Sequence, residues 1–307
     1  MTQDLAIEDP ALKEPGLEPN PVADLYDSWS SYQTTRLDAF PCELHVHRTL
    51  MLEHLSPGSR VLDVGAGPGR YAIELGHAGH RVVAGDISPV QVDLARRAIT
   101  DAGLLIEPKR ATTGEQPAAG VESVEVLDAL DLGRFADDSF DAVVAFGPFY
   151  HLQTPEERRQ AAREAARVLR PGGQLFASFM PRTFWLSMAL HTFVTDPRSP
   201  DAQLEQLERL LDDGLLRKVR SPQLKNSWFA RLDDIAPLFA EHGLRQQRLV
   251  ASSGVVSVWS KPGTWDRLGD RDPAIRQRVL DLVLRTASDP YVLGMSDQVL
   301  YIGEKSR

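Results

Sequence analysis

Short apolar runs alternate along this chain with segments in which apolar residues recur at helical spacing. The runs predict buried strands at 61–64, 81–86, 124–127, 142–146, 175–179, 248–251 and 298–303. Helical segments lie between many of them, and Gly or Pro often separates the two kinds of segment. Strands that alternate with helices predict an α/β fold, with a mainly parallel sheet covered by helices on both faces.

The same pattern divides the chain into segments. They are a disordered acidic, Pro-rich tail at 1–21, a helical lid at 22–57, a core at 58–180, a helical cap at 181–230, and a C-terminal part at 231–307 that completes the sheet and holds a second insertion at 252–297. The helices at 22–57 have two possible roles. They cover a sheet edge, or they form a lid whose Tyr26, Tyr32 and Arg36 face a ligand.

Local signals predict where helices begin and end. Ser88 is an N-cap followed by Pro at the first helical position, and Thr154 forms a capping box with Glu157. The Pro-Gly-Gly run at 171–173 is predicted to stop the second of these helices after residue 169. Residues 107–120 are rich in Pro, Gly and Thr, which is typical of a surface loop.

A glycine-rich turn follows the first predicted strand. Its residues are Gly65, Ala66, Gly67, Pro68 and Gly69. A strand, a glycine turn and a helix form the first unit of a nucleotide-binding domain, so we expect free backbone N–H groups beside a ligand. The third position of the dinucleotide fingerprint holds Arg70 instead of Gly or Ala. Asp63 precedes the turn, and its charge repels a pyrophosphate but suits a cationic ligand such as a sulfonium.

A second acid supports a nucleoside ligand. Asp86 ends the second predicted strand, 21 positions after Gly65. An acid at this place accepts hydrogen bonds from ribose hydroxyls. Together with Asp63, it favours S-adenosylmethionine over NAD.

Composition narrows the possible partners. The chain has 307 residues, a formal net charge of −9 and one cysteine, Cys42. A chain with a net negative charge is expected to bind the phosphate backbone of nucleic acids poorly. No apolar run approaches the ~18 residues of a membrane helix. One cysteine and the lack of a signal peptide predict a soluble cytoplasmic protein. His45 and His47 are badly spaced to bind a metal with Cys42, so we expect none.

Four motifs in order resemble those of class I S-adenosylmethionine-dependent methyltransferases. They lie at 61–70, at 82–88, at 128–129 together with 139–141, and at 167–173. The run Gly-Pro-Phe-Tyr-His-Leu at 147–152 further resembles a bacterial subgroup with a Gly-Pro-x-Tyr-His-Leu signature. The resemblance covers 58–180 well. It implies a Rossmann-like fold whose seven-stranded sheet has an antiparallel last strand.

The resemblance also implies roles for residues. Asp63 and the glycine turn hold the methionine part of the cofactor, Asp86 binds the ribose, and Phe146 lies under the sulfonium. Asp128 meets the adenine edge, although an ordinary turn acid is the alternative for this residue. With the two lid residues, the candidate cofactor contacts are Tyr32, Arg36, Asp63, Gly65, Ala66, Gly67, Asp86, Ile87, Asp128, Ala129, Phe146 and Gly147.

These expectations define a function. We expect a methyltransferase that modifies an oxygen, nitrogen or carbon of a small, largely apolar metabolite. The apolar segment 184–193 is predicted to border the acceptor, and His151, with Tyr150, is the candidate general base. The alternative is a structural role, in which His151 is hydrogen-bonded to backbone where a helix begins. Two rival functions are a methyltransferase-fold protein with a scaffold role or other chemistry, and a nicotinamide-dependent oxidoreductase.

Overall fold

The computed structural model describes residues 21–28, 37, 41–106, 119–195, 202–216, 227–257, 267–268 and 270–307. Several predictions lie outside these residues. They concern the tail at 1–20, most of the loop at 107–120, and the candidate contacts Tyr32 and Arg36.

A seven-stranded sheet forms the centre of the molecule. Its strands are β1 (Arg60–Val64), β2 (Arg81–Asp86), β3 (Gly120–Val126), β4 (Phe140–Ala145), β5 (Leu169–Phe179), β8 (Leu244–Ala251) and β9 (Val299–Lys305). Their order is β3-β2-β1-β4-β5-β9-β8. Only β9 runs antiparallel to its neighbours β5 and β8. The predicted Rossmann-like sheet with an antiparallel last strand is therefore confirmed.

Helices cover both faces of the sheet, so its strands are buried on both sides. One face packs against α2 (Pro41–His54), α3 (Arg70–His77), α4 (Pro89–Asp101) and α9 (Pro273–Thr286). The other face packs against α5 (Pro155–Val168) and α8 (Leu232–Ala240). Successive residues alternate between the faces, so Val61 belongs to the first core and Leu62 to the second.

A small cap follows β5. It contains α6 (Arg182–Thr195), α7 (Ala202–Asp213) and the two-stranded pair of β6 (Leu215–Leu216) with β7 (Ser227–Trp228). Arg182 is buried and joins these parts, because its guanidinium donates to Leu211 O at 2.9 Å and to Phe229 O at 3.1 Å. The cap has its own apolar cluster, which includes Met180 and Leu210.

Shorter elements complete the description. They are α1 (Pro21–Asp27), α10 (Pro290–Leu293) and the 3₁₀ turns Pro148–Tyr150 and Gly254–Val256. Pro21 thus begins a helix, whereas the sequence placed it in the tail. Among the described residues, no helix is both long and apolar enough to cross a bilayer.

The helix starts were predicted well, and one helix end was not. Ser88 Oγ accepts from Gln91 N, and both hydrogen bonds of the Thr154–Glu157 capping box are present. The Pro-Gly-Gly run at 171–173 does not stop α5, which already ends at Val168. Leu169 adopts an extended conformation and pairs with Phe140, so β5 begins six residues earlier than predicted. The run lies inside β5, where the pairing register shifts.

Candidate functional site

A cavity of about 660 Å³ lies where the first strands of the sheet end. Residues directly after β1, β2, β3 and β4 line it, at 65–68, 87, 127–130, 146–148 and 150–154. Helix α1 and Trp185 of the cap contribute further walls. Its volume lies within the range of ~300–1,000 Å³ that small-molecule sites occupy. In open α/β sheets, ligands bind at this carboxyl edge.

The glycine turn does not present free N–H groups to the cavity, which corrects one expectation. The amides of Gly65 and Ala66 both donate to Gly85 O, at 2.8 and 2.9 Å. The amide of Gly67 donates to Asp86 Oδ2 at 2.9 Å, and that of Gly69 donates to Ala66 O. A pyrophosphate needs such donors. The turn is therefore poorly suited to a dinucleotide.

Glycine is required at the start of this turn for two reasons. Gly65 has a φ of +75°, which side-chain-bearing residues rarely adopt. A Cβ there would also lie 2.9 Å from Pro148 Cδ, in the turn after β4. The missing side chain lets the two turns approach each other at the floor of the cavity.

Asp86, the predicted ribose ligand, lies at the cavity wall. Its two carboxylate oxygens accept from Gly67 N and Ser88 N, both at 2.9 Å, so the backbone fixes the orientation of the carboxylate. Burial raises the pKa of Asp86, while these backbone hydrogen bonds lower it. Each carboxylate oxygen has a further lone pair, which leaves the group able to accept from ribose hydroxyls.

Asp63 does not line the cavity. It is 1% exposed and shares the face of β1 that packs against α2, α3 and α4. Neither carboxylate oxygen has a hydrogen-bond partner among the described residues. Burial raises the pKa of Asp63 to about 7, and the nearby charge of Asp86 adds to the rise. A direct contact of Asp63 with the methionine part of a cofactor is therefore not visible in this geometry.

The remaining candidate contacts gather around the cavity. Those that line it are Gly65, Ala66, Gly67, Ile87, Asp128, Ala129, Phe146 and Gly147. Asp128 also serves its own turn, because its Oδ1 accepts from Leu130 N at 2.9 Å. The turn role that the sequence offered as the alternative is thus real, and it leaves the second carboxylate oxygen for a ligand.

His151 and Tyr150 both line the cavity just after β4. Nε2 of His151 lies 2.7 Å from the hydroxyl of Tyr26 in α1. The His151 amide donates to Pro148 O at 2.9 Å and closes the 3₁₀ turn Pro148–Tyr150. Burial lowers the pKa of His151 to about 4, well below the ordinary value of 6.5 that the sequence-based hypothesis assumed. The imidazole is therefore neutral across the physiological range.

Sequence reasoning missed several wall residues. Tyr71 follows the glycine turn and packs edge-on against Phe146, with ring centroids 4.7 Å apart. Met180, Asp297 and Gln298 lie near the cap side of the cavity lining, where nothing in the sequence marked them. Trp185 is the member of the segment 184–193 that reaches the cavity, and its indole N–H donates to Asp297 O at 2.8 Å.

Within the part of the chain that the structure describes, no cluster of three or more His, Cys, Asp or Glu side chains is arranged to hold a metal ion. Cys42 is buried, and burial raises the pKa of its thiol to about 12.

The strand order, the single antiparallel strand and the cavity at the carboxyl edge define a class I methyltransferase fold. Comparison with known families agrees. Residues 62–177 match the model of a family described as a methyltransferase domain. Over that segment the chain is therefore similar to a methyltransferase family.

Curated relatives share this domain but differ in what their names state. A ubiquinone biosynthesis O-methyltransferase of Xanthomonas axonopodis pv. citri (strain 306) is 33% identical over 145 residues, which is 46% of this chain and 53% of the relative. A probable tRNA methyltransferase 9B of Bos taurus is 32% identical over 160 residues, 52% of this chain and 29% of the relative. The chain thus spans at most about half the length of these relatives.

Solved structures share the fold at low sequence identity. A methyltransferase of Methanosarcina mazei, described as S-adenosylmethionine-dependent, superimposes with a TM-score of 0.53 and 17% identity, covering 84% of this chain and 97% of that one. A structure from Thermotoga maritima described as a possible histamine N-methyltransferase gives a TM-score of 0.52 and 17% identity, covering 92% and 100% of the two chains.

Proposed function

We propose that this protein binds S-adenosylmethionine in the cavity and transfers its methyl group to a small molecule. The observation that carries the proposal is the glycine turn with its committed amides, placed next to the carboxylate of Asp86. This pair offers acceptors for ribose hydroxyls and no cradle for a pyrophosphate. This arrangement favours S-adenosylmethionine as the cofactor over the nicotinamide cofactor of the oxidoreductase considered from the sequence.

The wall residues fit the parts of this cofactor. Asp86 would bind the ribose hydroxyls, and Ile87 with Asp128 would border the adenine. Phe146 and Tyr71 present an aromatic wall, and aromatic rings attract cations such as a sulfonium. The cofactor, when bound, supplies an electrophilic methyl group. The protein aligns the acceptor with it, excludes water and receives any proton that the acceptor loses.

His151 is our candidate for the group that accepts that proton. It lies in the turn after β4 beside Tyr150, and it is neutral at physiological pH because burial lowers its pKa to about 4. A neutral imidazole accepts a proton from a hydroxyl or an amine as the new bond to carbon forms. The low pKa makes it a weak base, so it suits an acceptor that becomes acidic as it reacts.

The cavity favours an uncharged or cationic acceptor of modest size. Among the described residues that line it, Asp86, Asp128, Glu157 and Asp297 are acidic and Arg70 is the one base of the Lys/Arg type. A phosphate-bearing acceptor would meet repulsion from these carboxylates. Helix α1 and Trp185 also border the cavity, whose volume of about 660 Å³ suits a small molecule. The relative named as a tRNA methyltransferase makes tRNA the alternative to test. One cysteine in 307 residues supports a cytoplasmic location.

Labelled S-adenosylmethionine separates these functions. The purified protein is incubated with the methyl-labelled cofactor and either a panel of phenols and amines or bulk tRNA. We expect label in an organic product and none in the tRNA. Label in tRNA would replace the small-molecule proposal. Binding of the cofactor without transfer to any acceptor of either kind would favour the scaffold role.

A further inference from the structure

A hydrogen bond joins helix α1 to the turn after β4 at the wall of the cavity. The hydroxyl of Tyr26 and Nε2 of His151 are 2.7 Å apart, although the residues are 125 positions apart in the chain. Their rings meet edge to face, with centroids 5.3 Å apart and an interplanar angle of 88°. Both side chains line the cavity. This contact therefore places a residue of the N-terminal helix directly against the candidate base.

The same end of α1 is also anchored to the start of α4. The carbonyl oxygen of Tyr26 accepts from Gln91 Nε2 at 3.0 Å. Asp27 accepts a hydrogen bond from the hydroxyl of Ser88. Gln91 and Ser88 belong to the start of α4, directly after Asp86. Tyr26 thus links the segment that follows Asp86 to His151.

Hydrogen-bond chemistry limits what His151 can do in this arrangement. A neutral imidazole carries one N–H group and one acceptor nitrogen. If Nε2 carries the hydrogen and donates it to the oxygen of Tyr26, Nδ1 is left to accept a proton. If the phenol donates to Nε2 instead, that lone pair is occupied and Nδ1 carries the hydrogen. The direction of this one bond therefore decides whether His151 can serve as a base.

We propose that Tyr26 is a positioning residue that accepts the Nε2–H of His151 and so makes the base competent only when α1 lies over the cavity. The inference rests on the proposed function, since His151 acts as a base only in a transferase. It adds a residue and a condition, because proton acceptance then depends on the N-terminal helix. Ionisable groups on the surrounding elements are Tyr26 on α1, Tyr150 beside His151, Glu157 on α5, and the cavity residues Asp128 and Asp297.

Nuclear magnetic resonance tests the hydrogen-bond direction without an acceptor. The ¹⁵N shifts of the His151 ring are recorded in the full chain loaded with S-adenosylhomocysteine, and the His151→Asn variant assigns the signals. We expect the form protonated at Nε2 in the parent and a mixture of both forms in Tyr26→Phe, which keeps the ring and loses the hydroxyl. Tyr291→Phe is the control, because Tyr291 is 87% exposed. A parent protonated at Nδ1, or identical shifts in Tyr26→Phe, would overturn the proposal.

Kinetics then test the coupling. With an acceptor from the small-molecule panel, Tyr26→Phe is expected to lower kcat about 10-fold to 10²-fold, the loss typical of a misplaced catalytic group. Affinity for S-adenosylhomocysteine should stay within about twofold. In the His151→Asn background, the same substitution should have no further effect, since Tyr26 acts through His151. Additive losses would overturn the positioning role. If no acceptor is methylated, the proposed function fails, whereas the NMR result still decides the direction of the hydrogen bond.

Discussion

At the scale of single residues, Asp63 has a carboxylate in an unusual environment. It is buried against helices, its oxygens have no partner among the described residues, and its pKa is raised to about 7. The sequence marked Asp63 as a charge that attracts a cation. Sequence could not show that the side chain lies behind the turn rather than in the cavity, because the face of a strand depends on which residues its neighbours bury.

Replacement of Asp63 by Asn should change how stability depends on pH. The folded-state pKa of Asp63 lies above its unfolded value. The stabilisation that comes from binding the proton is therefore complete below about pH 4 and is lost as pH rises through about 7. Asp63→Asn has no proton to lose. Relative to the parent, it should gain melting temperature between pH 5 and pH 8.

Thermal denaturation at those two pH values measures this difference. Asp93→Asn is the control, because Asp93 lies on the exposed side of α4 and forms an ion pair with Arg96. An unchanged difference between Asp63→Asn and the parent across this range would mean that Asp63 is ionised throughout in the folded protein.

Asp86 offers the most direct test of cofactor binding by a single side chain. Asp86→Asn keeps the shape and one acceptor oxygen for the turn but removes the charge. A hydrogen bond to a charged group contributes about 1.5–3 kcal/mol, so affinity for S-adenosylhomocysteine should fall roughly tenfold or more. Equilibrium titration measures it, and Asp93→Asn again serves as the control. Equal affinity of the Asp86→Asn variant and the parent would mean that another residue binds the ribose.

At the scale of elements, α6 connects the cap to the cavity. Trp185 lines the cavity, and its indole donates to Asp297 O at 2.8 Å. Trp185→Ala removes both this part of the cavity wall and the hydrogen bond to Asp297 O. We expect the KM for the acceptor to rise at least several-fold while the dissociation constant of the cofactor changes little.

A substitution further along the same helix is the matched control. Val194 is 77% exposed, so Val194→Ala should leave both constants unchanged. If Trp185→Ala shifts both constants equally, or lowers only the melting temperature, Trp185 packs the cap and does not define the acceptor site.

Elements could be predicted from the sequence where local chemistry decides the structure. The caps at Ser88 and Thr154 use side chains adjacent to the helix, so a short sequence window contains the whole signal. The start of β5 was predicted wrongly because Leu169 becomes extended through pairing with Phe140, a residue 29 positions earlier. The hydrogen bonds of the Gly65, Ala66 and Gly67 amides could not be predicted for the same reason, since their acceptors, Gly85 O and Asp86 Oδ2, belong to the next strand.

At the scale of the whole molecule, the sequence predicted the sheet and the place of the site better than the walls. Four ordered motifs determine the alternation of strands and helices, and the carboxyl edge then follows from the topology. Met180, Asp297 and Gln298 come from segments that reach the cavity only after the cap and the C-terminal strand have packed. No local pattern marks such residues.

The environment of His151 also sets the pH dependence of the proposed reaction. Its pKa is lowered to about 4 by burial, so protonation removes the base only as pH falls through about 4. If proton acceptance by His151 limits the rate, kcat should stay level from pH 8 down to about pH 5.5. An imidazole with its ordinary pKa of about 6.5 would be mostly protonated there. A kcat profile over pH 5–9 distinguishes these cases, and a limb near 6.5 that disappears in His151→Asn would contradict the buried imidazole.

The proposed function requires that the cavity at the carboxyl edge of the sheet binds S-adenosylmethionine. Isothermal titration of the full chain with S-adenosylmethionine, S-adenosylhomocysteine and NAD tests it most directly. The geometry of the turn and Asp86 predicts micromolar binding of both sulfur nucleosides and no detectable binding of NAD. Binding of NAD without binding of either sulfur nucleoside would show that the cavity is not a site for S-adenosylmethionine.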